Sequence, residues 1–346
     1  MPVANKIYIV GAGAIGMSLA VNLIQSGRSV TAVRTSHRKD SWDTMKIAVQ
    51  GNENPPIEAS VEMVSLSRLE SLPDGIIVIT AKATANRLIA SELKQKKANL
   101  PIILLQNGIG VESAFIESGF PDIYRCVLYA TSQEREENYF RFRSVAASPI
   151  GAVQGSGREL ENIVAQLNTS NFQFRAEERI TEETWKKTIM NSVFNSICPL
   201  LEVDNGIFCR DQRVADIAVE IVRETLEVTK RLGLDLNEKA LMEQLLRISQ
   251  RSDGQLISTL QDFQNGNETE IEFMNLEIAR IAEAMRPRVA VSKTKVLGEL
   301  ILIKSKMQGA TCSMPRRGYR IQPGVSTPGI AIPHGEAPER AQDRAS

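Results

Sequence analysis

The strongest constraint on the fold is a glycine-rich segment near the N-terminus, GAGAIG at residues 11–16. Residues 6–10 before it form a short β-branched run, and residues 14–25 have the apolar spacing of a helix. A strand that turns through closely spaced glycines directly into a helix is typical of the first unit of an open, parallel α/β sheet. The segment therefore predicts a sheet with helices packed on it.

In this context the residues of the turn have separate roles. Gly11 permits the tight turn, Gly13 lets the backbone approach a pyrophosphate, and Gly16 lets helix and strand pack closely. Ala14 and Ile15 open the helix, whose free N–H groups and positive dipole end attract phosphate. The alternative is a purely structural turn, since glycine-rich turns are common. The strand and helix on either side favour dinucleotide binding.

Strand and helix patterns continue to alternate through the first half of the chain. Residues 29–33, 75–80 and 101–106 read as strands, and residues 85–95 and 112–117 as helices. Continuous apolar runs such as GIIVIT are typical of strands covered on both faces. Three later segments are expected to extend the sheet with some antiparallel pairing: 126–131, 139–145 and 172–174. The fold class is thus α/β with a Rossmann dinucleotide-binding domain.

After about residue 180 the strand runs give way to helical periodicity. Five segments carry this periodicity: 182–201, 213–232, 237–250, 268–285 and 292–307. We therefore predict a Rossmann domain at residues 1–178 and an all-helical domain at 179–308. Residues 309–346 are rich in Gly, Pro, Arg and Ser and predict a disordered tail.

Composition narrows the possible functions. The 41 basic residues balance 41 acidic ones, which argues against binding to nucleic acid or to an anionic membrane surface. The four cysteines form no CxxC pair and only two histidines, His37 and His334, are present, so no metal site is expected. Without a signal segment or a membrane span, the cytoplasm is the expected location. Both a monomer and a homodimer are compatible with the sequence.

The end of the second predicted strand bears on the choice of cofactor. NAD-specific sites usually place a carboxylate there, whereas this chain has Arg34, followed by Arg38 within a basic loop. A guanidinium can pair with a 2′-phosphate through two hydrogen bonds. NADPH is therefore the expected cofactor, unless the loop is basic only because it is exposed.

Polar residues also follow the other strands and interrupt a buried helix. Lys82 and Asn107 follow two predicted strands and so face the expected cofactor crevice, although Asn-Gly is also a common turn. Lys187, Asn191 and Asn195 recur at i, i+4 and i+8, on one face of a helix. This row is either a structural hydrogen-bond seam or the wall of a polar cleft, and we favour the cleft.

The motifs together resemble the ketopantoate reductase family, also called 2-dehydropantoate 2-reductases. The matching segments are GAGAIG, the lysine of AKAT, QNGIG at 106–110, WKKTIMNSVFN at 185–195 and STLQD…ETEIEF at 258–273. They occur in the family order over residues 5 to 307. The resemblance implies an active site between a Rossmann and a helical domain, NADPH as cofactor, and reduction of 2-dehydropantoate (ketopantoate) to pantoate, a step of pantothenate biosynthesis.

Roles follow by position from this resemblance. Lys187 matches the catalytic lysine and Glu270 the conserved carboxylate, which also lies near the cofactor. Asn191, Asn195 and Ser258 match substrate-binding positions. Asn107 matches a position near nicotinamide and substrate, Lys82 a cofactor position, and Arg34 the ligand of the 2′-phosphate. With neither histidine placed as a base, an ammonium is also the natural acid for a ketone reduction on chemical grounds.

Some segments depart from the family pattern. RPRVAVSKTK after Met285 matches only loosely, Ser292 stands where asparagine is common, and TSHRKDSWDTMK and the tail are uncharacteristic. These departures concern the substrate more than the fold. The alternatives are a related reductase of another 2-keto acid and a non-catalytic NADPH-binding protein.

Overall fold

The computed structural model describes residues 6–35, 42–51 and 55–313. Within these ranges eleven strands form one mixed sheet. In chain order they are Ile7–Val10 (β1), Val30–Arg34 (β2), Trp42–Gln50 (β3), Ile57–Ser65 (β4), Ile76–Ile79 (β5), Ile102–Leu104 (β6), Ile123–Cys126 (β7), Ala130–Glu136 (β8), Tyr139–Ser144 (β9), Ser148–Gln154 (β10) and Phe174–Ala176 (β11).

The sheet has a parallel core with antiparallel strands at its ends. Its order is β11-β10-β7-β6-β5-β1-β2-β4-β3-β9-β8. The stretch from β7 to β4 is parallel throughout and follows the Rossmann strand order. Antiparallel pairs join β7 to β10, β3 to β4, and β8 to β9. The predicted Rossmann-like sheet is confirmed, and the reversal of strand order beside β1 is where this fold class binds its ligands.

Both faces of the parallel core are covered, as the continuous apolar runs predicted. On β1, Ile7 and Ile9 belong to one apolar cluster, whereas Tyr8 and Val10 belong to the cluster on the opposite face. The first face packs against the helix Ala14–Gln25 (α1), and the second against Asn86–Gln95 (α2). The strands that border the ligand crevice beside β1 are therefore held by apolar packing on both faces of the sheet.

The remaining helices follow in chain order. They are Ser113–Glu117 (α3), Leu160–Leu167 (α4), Ile180–Leu201 (α5), Ile207–Arg210 (α6), Gln212–Arg231 (α7), Glu238–Arg251 (α8), Ser258–Gln264 (α9), Asn275–Ala284 (α10) and Ser292–Ser313 (α11). Short 3₁₀ turns lie at Leu66–Arg68, Ala83–Ala85 and Ile271–Phe273. From α5 onward the described chain is helical, around a separate apolar core that contains Ile189, Val193 and Ile221.

Four predicted helices of this half have close counterparts in α5, α7, α8 and α11. The predicted helix at 268–285 is interrupted instead, because Met274 leaves the helical region with φ −120° and ψ −103°. A 3₁₀ turn and the shorter α10 take its place. Helix α11 also continues to Ser313, beyond the predicted domain end at residue 308.

Several sheet predictions were wrong or incomplete. The predicted strand at 126–131 is split, because the chain leaves the sheet after Cys126 and β8 starts at Ala130. The sequence did not predict the antiparallel hairpin of β3 and β4, which includes part of the uncharacteristic segment TSHRKDSWDTMK, and it did not predict β10 or α4. β3 is largely exposed in its first half, so it lacks the continuous apolar run that marked the central strands.

Within the described ranges no helix has both the length and the apolar character needed to cross a membrane.

Candidate active site

The glycine turn has the geometry that its sequence predicted. A Cβ atom on Gly11, whose φ is +123°, would lie 2.2 Å from the backbone nitrogen of Ala81, and one on Gly16 would lie 2.0 Å from the carbonyl oxygen of Gly11. Both glycines are thus required by close packing of the turn. At Gly13, by contrast, a Cβ atom would meet no atom within 4 Å. The open space at Gly13 is where the backbone can approach a diphosphate.

The start of α1 offers hydrogen-bond donors to this space. The first backbone hydrogen bond of the helix is donated by Met17 to the carbonyl of Gly13, at 2.9 Å. The N–H groups of Ala14, Ile15 and Gly16 precede it and have no acceptor within the helix. Together with the positive end of the helix dipole, they fit a dinucleotide diphosphate.

Arg34 ends β2 beside this turn, but its guanidinium is engaged. Its Nη1 lies 3.1 Å from Oδ1 of Asp43 on β3, and Nη2 lies 2.8 Å from the sulfur of Met45. The Arg34 side chain is mostly buried, whereas that of Asp43 is 40% exposed. A carboxylate therefore sits next to the guanidinium that was predicted to bind the 2′-phosphate. His37 and Arg38 lie outside the described residues.

The segment after β5 contacts the helical half of the chain through Lys82 and Ala83. Lys82 lies three residues after the end of β5, and its Nζ lies 2.9 Å from Oδ1 of Asp262 on α9. The neighbouring N–H of Ala83 donates to Glu270 Oε1 at 3.4 Å, and the Asn107 side chain also hydrogen-bonds to this carboxyl. Burial raises the pKa of Glu270, while these donors and Lys82 act in the opposite direction. The structure thus brings together three predicted site residues: Lys82, Asn107 and Glu270.

The loop after β6 is held tightly against the helical half. A Cβ atom on Gly108, whose φ is +89°, would lie 2.2 Å from the carbonyl oxygen of Phe273. The next residue, Ile109, donates its N–H to that same oxygen at 2.8 Å. Only glycine fits at position 108, and the contact fixes the position of Asn107. This loop is therefore more than the common Asn-Gly turn that the sequence left as an alternative.

Lys187 projects from α5 toward the sheet. Its Nζ donates to the backbone carbonyl of Leu128 at 2.6 Å and lies 6.0 Å from the ring centroid of Tyr129. Burial lowers the pKa of Lys187 to about 8, and the nearby Arg125 acts in the same direction. The side chain keeps some surface, but its ammonium is enclosed. A lysine with this pKa can release a proton near neutral pH.

Arg125 was not predicted as a site residue. It lies on β7, is only 3% exposed, and donates from Nη2 to the carbonyls of Gly108 at 2.7 Å and Gln106 at 3.2 Å. Its Nη1 pairs with Glu112 at 3.3 Å, and its buried Nε has no hydrogen-bond partner among the described residues. The sequence signal that could have identified Arg125 is a charged residue within the otherwise apolar strand IYRC. Arg125 holds the loop that carries Asn107.

Two further residues that the sequence did not identify, Asn86 and Gln106, connect the loops that follow β5 and β6. The buried amides of Gln106 and Asn86 hydrogen-bond to each other at 2.7 and 2.9 Å. The Gln106 amide also donates to the carbonyl of Ala81 at 2.6 Å. Because Ala81 precedes Lys82 and Gln106 precedes Asn107, this network fixes the spacing of the two site loops.

The other two polar residues of α5 differ from each other. Asn191 is half-buried, and its side chain makes no hydrogen bond within the described part of the chain. Asn195 is 1% exposed, and its Oδ1 accepts from the Ser258 hydroxyl at 3.1 Å and the Thr259 N–H at 3.2 Å. In this structure Asn195 thus links α5 to α9 as a seam, while Asn191 stays available to a ligand.

A small, partly open cleft lies between α5 and the ends of β6 and β7. Its lining includes Asn107, Arg125, Cys126, Lys187 and Thr188. Within the described residues, no cluster of three or more His, Cys, Asp or Glu side chains is placed to hold a metal ion. The cleft presents the cationic side chains of Lys187 and Arg125 and the amide of Asn107. The start of α1, which is suited to a dinucleotide, lies at the same edge of the sheet.

The family follows from comparison with known proteins. Residues 7–155 match the family model described as "Ketopantoate reductase PanE/ApbA", and residues 179–301 match its C-terminal counterpart, "Ketopantoate reductase PanE/ApbA C terminal". The chain belongs to the ketopantoate reductase family. As a member of this family it is an oxidoreductase that uses a nicotinamide dinucleotide.

Curated relatives of the family match over most of their length. The 2-dehydropantoate 2-reductase of Pyrococcus horikoshii is 28% identical over 279 residues, which cover 80% of this chain and 91% of the relative. That of Archaeoglobus fulgidus is 25% identical over 295 residues, which cover 84% and 95%.

Solved structures of other proteins share the fold. A D-mandelate dehydrogenase with NADH and anilino(oxo)acetate aligns with a TM-score of 0.75 and 20% identity, over 88% of this chain and 99% of that one. A dimeric ketopantoate reductase from Staphylococcus aureus aligns with a TM-score of 0.73 and 17% identity, over 88% and 100%. At these identities the likeness supports the fold alone.

Proposed function

We propose that this protein reduces 2-dehydropantoate to pantoate with NADPH, and that Lys187 is the general acid. The observation that carries the proposal is the enclosed Lys187 ammonium, whose pKa is lowered to about 8 and which lies in one cleft with Asn107. Both curated relatives described above are named as 2-dehydropantoate 2-reductases. Family membership and the cleft thus favour the same reaction.

The residues present fit the cofactor. The open space at Gly13 and the free N–H groups of Ala14, Ile15 and Gly16 suit its diphosphate. Arg34 would bind the 2′-phosphate after partial release from Asp43. Lys82 and Glu270 lie where the β5 end loop meets the helical half, beside the expected nicotinamide position.

The chemistry requires one proton from the protein. Bound NADPH would supply a hydride to the carbon of the keto group, whose oxygen would then take up the negative charge, and would be left as NADP⁺. Lys187 Nζ donates a proton to that oxygen, the O–H bond forms, and the lysine is left neutral. Before transfer, the ammonium stabilises the developing negative charge. A proton from solvent then restores the ammonium.

The other residues position the substrate and the lysine. The carbonyl of Leu128 holds Lys187 Nζ by a 2.6 Å hydrogen bond. Asn191, one helical turn from Lys187, offers an amide to the substrate carboxylate. Ser258 is exposed and offers a hydroxyl, with Asn195 holding it from behind. Glu270 would bind a substrate hydroxyl or orient the lysine through Asn107.

A second candidate is an NADH-dependent reductase of another 2-keto acid. One observation favours it: Asp43 places a carboxylate beside the end of β2, which would repel a 2′-phosphate and can accept from a ribose hydroxyl. The D-mandelate dehydrogenase, a structural neighbour, was solved with NADH. The two candidates share fold, lysine and reaction type and differ in cofactor and substrate.

We also propose that residues 1–178 form the cofactor domain and 179–308 the helical domain, with the active site between them. All described strands lie before Glu177, and α5 begins at Ile180. We further propose that the protein is cytoplasmic and forms a homodimer, as the Staphylococcus aureus ketopantoate reductase does.

The deciding experiment is a turnover assay with the full chain. NADPH and NADH are each mixed with ketopantoate, pyruvate and bulkier 2-keto acids, and the loss of nicotinamide absorbance is followed. Fast oxidation of NADPH with ketopantoate supports the first proposal. Oxidation with another 2-keto acid supports the second. Cofactor binding without turnover on any substrate would favour a non-catalytic, cofactor-binding role and contradict both.

A further inference from the structure

One hydrogen-bond donor of the Arg125 guanidinium has no acceptor within the described part of the chain. Arg125 is 3% exposed; its Nη1 pairs with Glu112, and its Nη2 donates to the carbonyls of Gly108 and Gln106. The Nε atom is equally enclosed and has no partner among the described residues. Buried donors in proteins almost always have an acceptor, because leaving one unsatisfied costs free energy. The free Nε–H therefore points to an acceptor that a ligand supplies.

Arg125 shares the small cleft between α5 and the ends of β6 and β7 with Lys187. The Lys187 ammonium has three N–H donors, and the carbonyl of Leu128 accepts from one of them. Apart from these two cations, the described residues that line the cleft are neutral, and none is an aspartate or a glutamate. Cys126 also lines it, and burial raises the pKa of its thiol to about 12, so the thiol stays uncharged near neutral pH. The cleft thus has an excess of positive charge.

The two carboxyl groups that act on Arg125 do not offset this excess inside the cleft. Glu112 pairs with Nη1, and its side chain is 26% exposed. Glu270 accepts hydrogen bonds from the N–H of Ala83 and from the Asn107 side chain. Neither carboxyl group lines the cleft. An anionic group bound there would therefore meet two cations and no lining carboxylate that repels it.

A carboxylate has the charge and shape for this position. It carries a single negative charge on a small planar group, and it accepts short, strong hydrogen bonds from guanidinium and ammonium donors. In a 2-keto acid the carboxylate is bonded directly to the keto carbon. A carboxylate at Arg125 therefore brings the keto oxygen toward Lys187, the other cation of the cleft.

We propose that Nε of Arg125 donates a hydrogen bond to the carboxylate of the 2-keto acid, which makes Arg125 a specificity-determining residue that favours charged acids over neutral ketones. The inference rests on the proposed function and adds a substrate contact to it. Nη1 and Nη2 keep their partners, so the loop that carries Asn107 stays in place while Nε binds. One carboxylate oxygen accepts from Nε, and the other remains available to the Asn191 amide.

The test compares a charged ligand with a neutral one of nearly the same shape. Oxamate is an unreactive analogue of a small 2-keto acid, and oxamide has an amide in place of its carboxylate. Binding of each to the full chain is measured by NMR titration, with and without NADPH. We expect oxamate to bind more tightly than oxamide by about tenfold or more. Arg125→Lys should weaken oxamate binding by about tenfold or more, because lysine keeps the charge but lacks a donor at the position of Nε.

Glu112→Gln is the matched control. It removes the ion pair that Nη1 makes and so disturbs the same guanidinium, but it leaves Nε in place. Oxamate binding to this variant should be unchanged or tighter, since the substitution also removes a negative charge close to Arg125. Chloride and phosphate serve as competitors, and a carboxylate position predicts that neither displaces oxamate at equal concentration.

The proposal is overturned if oxamate does not bind, if oxamate and oxamide bind equally, or if Arg125→Lys binds oxamate as the unchanged protein does. Equal weakening of both ligands by Arg125→Lys, or of oxamate by Arg125→Lys and Glu112→Gln, would show only that the surrounding loop has loosened. Displacement by chloride or phosphate would assign the position to a free inorganic anion instead.

These results are separable from the proposed function, because binding requires no turnover. A protein that reduces 2-keto acids but binds oxamate without help from Arg125 keeps the proposed function and loses this contact. A protein that binds oxamate through Arg125 but reduces no 2-keto acid does the reverse.

Discussion

The ammonium of Lys187 is held by the backbone carbonyl of Leu128 at 2.6 Å. Leu128 lies in the short segment where the chain has left β7 and not yet entered β8, so its carbonyl is not taken up by a strand. The interruption of the sheet that the sequence did not predict is thus what provides an acceptor for the proposed acid. The lysine is oriented before a substrate arrives.

Replacing Lys187 should remove most of the activity. Lys187→Gln should lower kcat by about 10²–10⁴-fold, the usual contribution of a positioned proton donor, with little effect on cofactor binding. The measurement is steady-state kinetics alongside a cofactor titration. Lys186→Gln is the matched control, because Lys186 pairs with Glu183 and stands one position away on the same helix. Equal losses in both variants would argue against a specific role for Lys187.

The pH dependence of the reaction should follow Lys187. Reduction needs the ammonium form, so kcat/KM should fall as the pH rises through about 8, the lowered pKa of this lysine. The reverse oxidation needs the neutral amine and should rise over the same range. Rate profiles in both directions check this. A reduction rate that stays flat to well above pH 9 would mean that another group donates the proton.

Arg125 should act as a positioning residue that also tunes Lys187. Its charge disfavours the protonated lysine, so Arg125→Gln should move the alkaline limb of the reduction profile to higher pH. Arg125→Lys keeps the charge and should leave the limb in place, although both variants lose hydrogen bonds to the Gly108 and Gln106 carbonyls. The other charged or titratable neighbours, Glu112, Cys126 and Glu270, are unchanged in both. If the two variants gave the same pH profile of the reduction rate, the charge of Arg125 would not affect Lys187, and the role of Arg125 would be structural only.

The ion pair at the end of β2 should determine cofactor preference. Arg34→Ala should weaken NADPH binding more than NADH binding, because only NADPH carries the 2′-phosphate. Asp43→Asn should instead tighten NADPH binding, since the competing carboxylate beside the guanidinium is neutralised. Dissociation constants for both cofactors, from fluorescence titration, check the pair. If Asp43→Asn weakened NADPH binding, Asp43 would be acting as a cofactor ligand.

Replacing Asn195 should mainly lower stability, whereas replacing Ser258 should mainly weaken binding of the keto acid. Asn195→Ala leaves the buried N–H of Thr259 without its partner, and a loss of about 1–3 kcal/mol in unfolding free energy is expected. Ser258→Ala removes an exposed hydroxyl and should change the melting temperature little, while raising KM for the keto acid. Thermal melts and kinetics together test this. Unchanged kinetics for Ser258→Ala would remove it from the substrate site.

Much of the central fold could be read from local patterns. β1, β5 and β6 are buried on both faces, so each appears in the sequence as a continuous apolar run. The glycine turn was predictable because positions 11 and 16 tolerate no side chain, a constraint that acts within one strand–turn–helix unit. The row Lys187, Asn191 and Asn195 was visible because helical periodicity alone places these residues on one face.

Other features depend on partners distant in the chain. Nothing local distinguishes Asn195, bound to α9, from Asn191, which is not. The engagement of Arg34 by Asp43, and the burial of Arg125 under the Asn107 loop, also arise only when separate strands pair.

Local sequence patterns account for the sheet core, the glycine turn and the row of polar residues on α5, because these follow from short-range periodicity and steric limits. Which of the polar residues share a cleft, which are held by other side chains, and how far the pKa of Lys187 falls depend on the tertiary structure. Burial and electrostatic environment are properties of packing between distant segments, and no local pattern encodes them.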